Sequence, residues 1–189
     1  MLRNLWKISS KLQLSSLKIQ IVQSCIISHI DYCNSLYFNL PRKLIYKLQK
    51  LMNAGVRFVF NIRLKDRVSI TPYLKECHFL PVKARVEFKL CMVVYKCLHN
   101  MGPCYLSSLL IPKSSLPSLR VFDDNSLLQT PKIETRAYKN RKFSVAAPKL
   151  WNQLPRDIRD SDSLEIFKSR LKTHFFEECF CNTPDPGSG

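Results

Sequence analysis

Glycine is scarce in this chain, with four residues among 189. A Gly-rich loop that cradles phosphate groups, as in many nucleotide-binding proteins, therefore has no matching sequence. Long apolar runs are also missing, since no uninterrupted stretch reaches the roughly 18 residues that a membrane-spanning helix requires. We expect a protein that does not enter a membrane.

Acidic residues are few, with 14 Asp and Glu against 30 Lys and Arg. A polymerase site needs carboxylates that hold two metal ions about 4 Å apart. The one adjacent pair of aspartates, Asp123 and Asp124, lies in a stretch punctuated by Pro and Ser, so we interpret it as a solvated turn. A G-x-S-x-G elbow is absent as well. We expect no enzyme activity for this chain and no cofactor.

Eight cysteines raise the question of disulfides or zinc. The opening MLRNLWKISS has no signal-peptide core, so we expect free thiols and an intracellular protein, nuclear or cytoplasmic and not secreted. The spacings Cys179-x-Cys181 and Cys91-x5-Cys97 do not match zinc ribbons or fingers. A cluster in space is the alternative for the residues Cys77, His78, Cys97, His99 and Cys104. We favour Cys25, Cys91 and Cys97 as small core residues.

Apolar residues recur mostly at helical spacing. A first helix is expected from an N-cap at Ser15 or Ser16 to about Tyr37, and an amphipathic one after Pro41. Thr71 and Pro72 predict the N-cap and first residue of a short helix ending near His78, and Pro81 a longer helix. Further helical residues are expected at 104–110, at 143–154 with an interruption at Pro148, and in a final helix capped by Ser161 or Ser163.

These segments predict a mainly α fold: a helical bundle with an irregular segment or small hairpin and a C-terminal helix. The hairpin would lie within residues 111–140, where residues 126–133 could form a strand. We expect a helical region at 1–110, a C-terminal segment at 111–181 and a disordered tail at 182–189.

Positive charge is concentrated in the middle of the chain. Residues 41–100 carry thirteen basic side chains against three acidic ones. Such a surface suits a polyanion, and Lys and Arg that neutralise phosphates bind nucleic acid in a salt-dependent way. The predicted phosphate contacts are Arg42, Lys43, Lys47, Lys50, Arg57, Arg63, Lys65 and Arg67. Aromatic residues interleave with the charges at 57–63 and 136–143. We favour core positions for Phe58 and Phe60, while a core position and base stacking are equally open for Tyr138.

Several strings of the sequence together resemble a known family. They include S-H-I-D-Y-C-N-S-L at 28–36, L-Q-K at 48–50, N-A-G-V-R at 53–57, L-P-V-K-A-R at 80–85 and F-S-V-A-A-P-K-L-W-N-Q-L-P at 143–155. In order and spacing they are similar to the region downstream of the palm in jockey-like, LINE-type non-LTR retrotransposon reverse transcriptases. The resemblance spans residues 12–176.

The resemblance implies a thumb-like helical region that contacts the backbone of RNA or of an RNA/DNA primer-template. In that family the metal-binding motif of the RNA-directed DNA polymerase precedes this region, so no catalytic residue carries over. The function implied is non-catalytic nucleic-acid binding. The alternative is a degenerate structural or protein-interaction fragment, whose apolar faces pack on the missing palm or associate with themselves.

Overall fold

The computed structural model describes residues 14–113, 126–131 and 142–181. These residues form helices and no β-strand, so the predicted mainly α class is confirmed. We label the helices α1 (Ser15–Val22), α2 (Ser28–Asp31), α3 (Arg42–Val59), α4 (Thr71–Glu76), α5 (Val82–Leu98), α6 (Cys104–Ser107), α7 (Phe143–Trp151), α8 (Arg156–Arg159) and α9 (Leu164–Phe180). A π-helical segment spans Gln23–Ile27, and 3-10 segments span Asn34–Tyr37 and Leu64–Asp66.

The chain divides into two compact units. Unit 1 comprises Met1–Arg85 and Phe176–Gly189, and unit 2 comprises Val86–Phe175. Their junctions lie within α5 and α9, whereas the sequence placed a domain boundary near residue 110. The predicted disordered tail, 182–189, lies outside the described residues.

The first helical region is shorter than predicted and irregular. Leu14, rather than Ser15 or Ser16, occupies the N-cap position, and no side chain caps the helix. Helical structure continues through the π-helical segment to Asp31 and then stops, because Tyr32 is extended and Cys33 is left-handed with φ of 50°. The expected continuation to Tyr37 is therefore wrong, since a separate 3-10 turn covers those last residues.

The core of unit 1 forms where α1 and the π-helical segment pack on α3. A Cβ atom added to Gly55 would lie 2.9 Å from Val22 Cγ1 and 3.0 Å from Ile26 Cδ1, so this glycine permits close approach of the two segments. The buried cluster contains Val22, Ile26, Ile27, Ile30, Met52, Val56, Phe58, Val59, Ile62, Ile70, Leu74, Cys77, Phe79 and Val82.

Helix α4 begins one residue earlier than predicted. Ile70 occupies the N-cap position, so Thr71 is the first helical residue and Pro72 lies in the first turn, where its missing N–H costs no helical bond. The helix ends at Glu76, and the left-handed His78 turns the chain with φ of 53°. Helix α5 then follows Pro81 as predicted.

Unit 2 has an aromatic centre. Tyr95 of α5 stacks on Phe167 of α9 with centroids 4.3 Å apart, and Trp151 lies 5.7 Å from the same ring. The Tyr95 hydroxyl donates to the Ser161 carbonyl oxygen (2.8 Å), and Ser163 caps α9 through its hydroxyl, which accepts from the Ile166 amide (3.3 Å). Of the two predicted caps, the structure therefore uses Ser163.

Helix α7 runs through Pro148 to Trp151, so the predicted interruption is wrong. Pro148 cannot donate a helical hydrogen bond, but it is buried among the apolar residues of this helix. The following Asn152 side chain pairs with the backbone of Leu128, accepting from its amide (2.9 Å) and donating to its carbonyl (2.8 Å).

The predicted hairpin falls largely on residues that the structure leaves undescribed. In its described part, Pro112 and Leu128 form an isolated antiparallel bridge. The Lys113 amide donates to the Leu127 carbonyl (2.9 Å), and the Gln129 amide donates to the Ile111 carbonyl (2.8 Å). Residues 126–131 therefore form one bridge and no strand.

Candidate nucleic-acid interface

A stripe of cations follows helix α3. Lys43, Lys47, Lys50 and Arg57 recur at spacings of four, three and seven residues, which places them within an arc of about 80° on a helix with 3.6 residues per turn. The three lysines are exposed, as is Arg42. At a rise of about 1.5 Å per residue the stripe is about 21 Å long.

No carboxylate offsets this charge locally. Helix α3 contains no Asp or Glu, and within the described part of the chain none of Arg42, Lys43, Lys47 and Lys50 forms an ion pair. Amphipathic surface helices commonly mix both signs of charge, since Glu and Lys four residues apart stabilise a helix. The exposed face of α3 is therefore a surface of one sign.

The positions of Arg42 and Lys43 oppose helix stability. Both lie in the first turn of α3, which has no acidic residue. The N-terminal end of a helix carries the positive end of its dipole, so a cation there costs about 0.3–1 kcal/mol at low salt. The stability of the helix therefore does not explain why Arg42 and Lys43 occupy its first turn. Residues that lower local stability are typical of functional surfaces.

A basic loop follows α3 and is closed by hydrogen bonds. The Arg63 amide donates to Asp66 Oδ2 (2.9 Å), and the Asp66 amide donates to the Arg63 carbonyl (3.1 Å). The side chains of Arg63, Lys65 and Arg67 are exposed. We call residues 63–68 the basic loop.

Arg57 differs from the other predicted phosphate contacts. It is half-buried, and its Nη1 donates to the Arg63 carbonyl (3.2 Å) while its Nη2 donates to the Val68 carbonyl (3.1 Å). The guanidinium thus connects the two ends of the basic loop to α3. Sequence spacing alone placed Arg57 with the lysines and did not reveal these contacts.

The aromatic residues between these charges have mainly structural contacts. Phe58 is buried, which confirms its predicted core position, and Phe60 is half-buried with its ring centroid 4.9 Å from that of Tyr73. Tyr46, which the sequence analysis did not single out, is 59% exposed beside the stripe, with Lys50 Nζ 4.7 Å from its ring centroid. Tyr138 lies outside the described residues.

One further lysine is buried in unit 1. Lys18 of α1 is 3% exposed, and its Nζ donates to Asn61 Oδ1 (2.9 Å) and lies 5.8 Å from the centroid of the Phe58 ring. Its position ties α1 to the end of α3, where Asn61 is left-handed with φ of 55°. Lys18 is thus a structural cation, unlike the exposed lysines of the stripe.

Residues from the strings that carry the family resemblance contact one another in unit 1. Arg85 donates from Nε to Asp31 Oδ1 (2.8 Å) and from Nη2 to Asp31 Oδ2, and Asn34 Nδ2 donates to Asp31 Oδ1 (3.2 Å). Gln49 Oε1 accepts from the Val82 amide (2.8 Å). These contacts hold the strings at 28–36 and 48–50 against the string at 80–85, so in this structure their polar residues stabilise the fold.

The cysteines of the described residues are free thiols. Cys91 and Cys97 are buried, as expected for core residues, while Cys25 is half-buried. Burial is the main cause of the raised pKa of all three buried thiols, and with the nearby Glu76 carboxylate it raises the pKa of Cys77 to about 11. Among residues 14–113, 126–131 and 142–181, no three His, Cys, Asp or Glu side chains are placed to hold a metal ion, so the alternative cysteine–histidine cluster does not form there.

Within residues 14–113, 126–131 and 142–181, no helix combines the length and the apolar character of a membrane span. Comparison of the chain with family profiles, with curated proteins and with solved structures finds no significant match. The resemblance to retrotransposon reverse transcriptases therefore stays a prediction from the sequence strings.

Proposed function

We propose that unit 1 binds the phosphate backbone of RNA or of an RNA/DNA duplex, without catalysis, through α3 and the basic loop. The observation that carries the proposal is the acid-free stripe of Lys43, Lys47 and Lys50 on the exposed face of α3. Phosphate contacts hold a protein on a nucleic acid without reading its sequence. The family resemblance supports the same function, because a thumb-like region would grip a primer-template in this way.

The loop adds a second group of cations to this surface. Arg63, Lys65 and Arg67 are exposed, and within the described part of the chain none of their side chains forms an ion pair. Since Phe58 is buried and Phe60 packs on Tyr73, base stacking by these two rings is not part of the proposal. Binding is expected to depend on charge and backbone shape more than on sequence.

The experiment is equilibrium binding of the purified chain to a labelled RNA/DNA primer-template and to single-stranded RNA, across a salt series. We compare the wild type with the triple variant K43E/K47E/K50E. Removing three phosphate contacts should reduce the slope of log Kobs against log salt by about 2.7 on a duplex, because each neutralised phosphate contributes about 0.9. Affinity should fall at least tenfold at low salt.

A matched control makes the same change of charge elsewhere. Lys89, Lys96 and Lys172 are exposed residues of unit 2, so K89E/K96E/K172E alters the net charge equally. Its salt slope should remain near that of the wild type. Equal losses in both triple variants would show that only net charge matters and would reject a localised interface, and no binding by the wild type would reject the function itself.

A second candidate function is association with protein through exposed apolar residues. Tyr32 and Leu36, in the string at 28–36, are 76% and 74% exposed. Large apolar side chains exposed near each other in sequence are common at interaction sites. This function predicts concentration-dependent sedimentation that Y32S/L36S abolishes, together with little response to added RNA.

A further inference from the structure

The basic loop presents an apolar side chain among its cations. Leu64 is 84% exposed and lies between Arg63 and Lys65 in sequence. Exposing a leucine costs hydrophobic free energy that burial against a ligand would recover. The residues on both sides of Leu64 are cations. A ligand that covers this leucine is therefore expected to present both an apolar surface and negative charge.

Nucleic acid combines these two properties. Its phosphates attract Lys and Arg, while sugars and base faces offer apolar surface, and proteins insert leucine and similar side chains against them. We infer that the basic loop is a preorganised element in which Arg63, Lys65 and Arg67 contact phosphates and Leu64 contacts a sugar or base. This inference rests on the proposed function and adds to it an apolar contact and a positioning residue.

Arg57 is that positioning residue. Its two hydrogen bonds reach carbonyls at opposite ends of the loop, six and eleven residues further along the chain. Asp66 closes the loop from within, and Arg67 adopts a left-handed conformation with φ of 44°. A non-glycine residue keeps such a conformation only where its surroundings enforce it, so the contacts of Arg57 hold the loop in the shape that exposes Leu64.

The role of Arg57 is tested in the free protein by amide hydrogen exchange. Arg57→Met and Arg57→Lys should both speed exchange at the Arg63 and Asp66 amides, because lysine lacks the planar fork that reaches two carbonyls. Exchange at Met52 and Val56, inside α3, serves as the control for general unfolding. Unchanged loop exchange in both variants would overturn the positioning role, as would equal acceleration at the control amides.

Binding separates positioning from direct contact. If Arg57 positions the loop, Arg57→Lys should weaken binding to the RNA/DNA primer-template about as much as Arg57→Met. A direct phosphate contact would instead be retained by lysine, which keeps the charge. Full binding by Arg57→Lys would therefore overturn the inference while leaving the proposed function intact.

Leu64→Ser tests the apolar contact. It should weaken binding by about tenfold, consistent with loss of one buried leucine, and leave the salt slope unchanged. Arg63→Met should reduce the slope by about 0.9 instead. Leu109→Ser, at an exposed leucine of unit 2, is the control and should bind as the wild type does.

Wild-type affinity in Leu64→Ser would overturn the apolar contact. If the wild-type chain binds neither the primer-template nor single-stranded RNA, the proposed function and the ligand of the loop fail together. The exchange measurements still decide the role of Arg57 in that case, so the two failures are distinguishable.

Discussion

At Gly55, the absence of a side chain sets the distance between two helical segments. An added Cβ would lie 2.9 Å from Val22 Cγ1, closer than neighbouring carbon atoms pack. We expect Gly55→Ala to reduce the free energy of unfolding by about 1–2 kcal/mol, since overpacking costs more than the gain in helix propensity returns.

Urea denaturation measures this loss, and a second background identifies its cause. In Val22→Ala the obstructing methyl groups are gone, so adding Gly55→Ala there should be neutral or stabilising. The same loss in both backgrounds would mean that contact with Val22 is not responsible.

The buried thiol of Cys77 gives a prediction for alkaline pH. Its pKa is about 11 in the folded chain, raised first by burial and then by Glu76, against 9.0 ordinarily. Below pH 9 the thiol is protonated in both folded and unfolded chains, and its contribution to stability is fully present. As pH rises from 9 to 11 the unfolded chain ionises first, so that contribution is lost.

The measurement compares the wild type with Cys77→Ala at intervals from pH 8 to 11. Both proteins share the other titrating groups, so the difference between their free energies of unfolding isolates Cys77. We expect this difference to shrink above pH 9. A constant difference across the range would show that the thiol has the same pKa folded and unfolded.

At the scale of the element, the cations in the first turn of α3 lower the stability of this helix. Lys43 lies in the first turn, where a carboxylate would be favoured by the helix dipole. Lys43→Glu would also place a glutamate four residues before Lys47, the favourable orientation of such a pair. We expect this variant to gain about 0.5–1 kcal/mol in free energy of unfolding while its binding to nucleic acid weakens.

Thermal or urea unfolding, run beside the binding assay, tests both parts. Lys50→Glu provides a comparison, because it lies beyond the first turn and should weaken binding without the dipole gain. If Lys43→Glu instead lowers the free energy of unfolding, the lysine at this position does not cost helix stability and the prediction is wrong.

Regular helices were predictable from periodicity, but their interruptions were not. The apolar spacing predicted α3 and α5 because each buries one face. It did not predict the π-helical segment or the left-handed Cys33, since both depend on how the chain packs as well as on local sequence. Pro148 predicted an interruption that does not occur, because burial of α7 outweighs the loss of one hydrogen bond.

The sequence predicted which residues form the candidate site, but it did not predict the role of each residue. Exposure of Lys43, Lys47 and Lys50 followed from their positions opposite the apolar face of α3. Arg57 belongs to the same stripe by spacing, yet its hydrogen bonds go to residues 63 and 68. Helical periodicity does not predict contacts that form when a loop folds back onto a helix. The sequence therefore could not distinguish Arg57, which positions the basic loop, from the cations proposed to bind phosphate.

At the scale of the whole molecule, the formal charge of +16 opposes compactness. Like charges repel in the folded chain, and salt screens them, with a Debye length that falls from about 30 Å at 0.01 M to about 10 Å at 0.1 M. We expect the urea midpoint of unfolding to rise with NaCl over this range.

The triple variant K43E/K47E/K50E, whose formal charge is lower by six, should show a smaller rise. An uncharged osmolyte controls for effects other than screening, and it should act equally on both proteins. A salt effect of equal size in wild type and variant would mean that repulsion at α3 contributes little.

The burial of Lys18 gives unit 1 an internal reporter of its own opening. An amine reagent modifies a lysine only when its Nζ reaches solvent, and this side chain is 3% exposed. Under native conditions the rate of Lys18 acylation, relative to that of the exposed Lys47, should therefore measure how often α1 separates from the end of α3. Mass spectrometry of lightly acylated protein would thus follow local opening of unit 1 without any mutation.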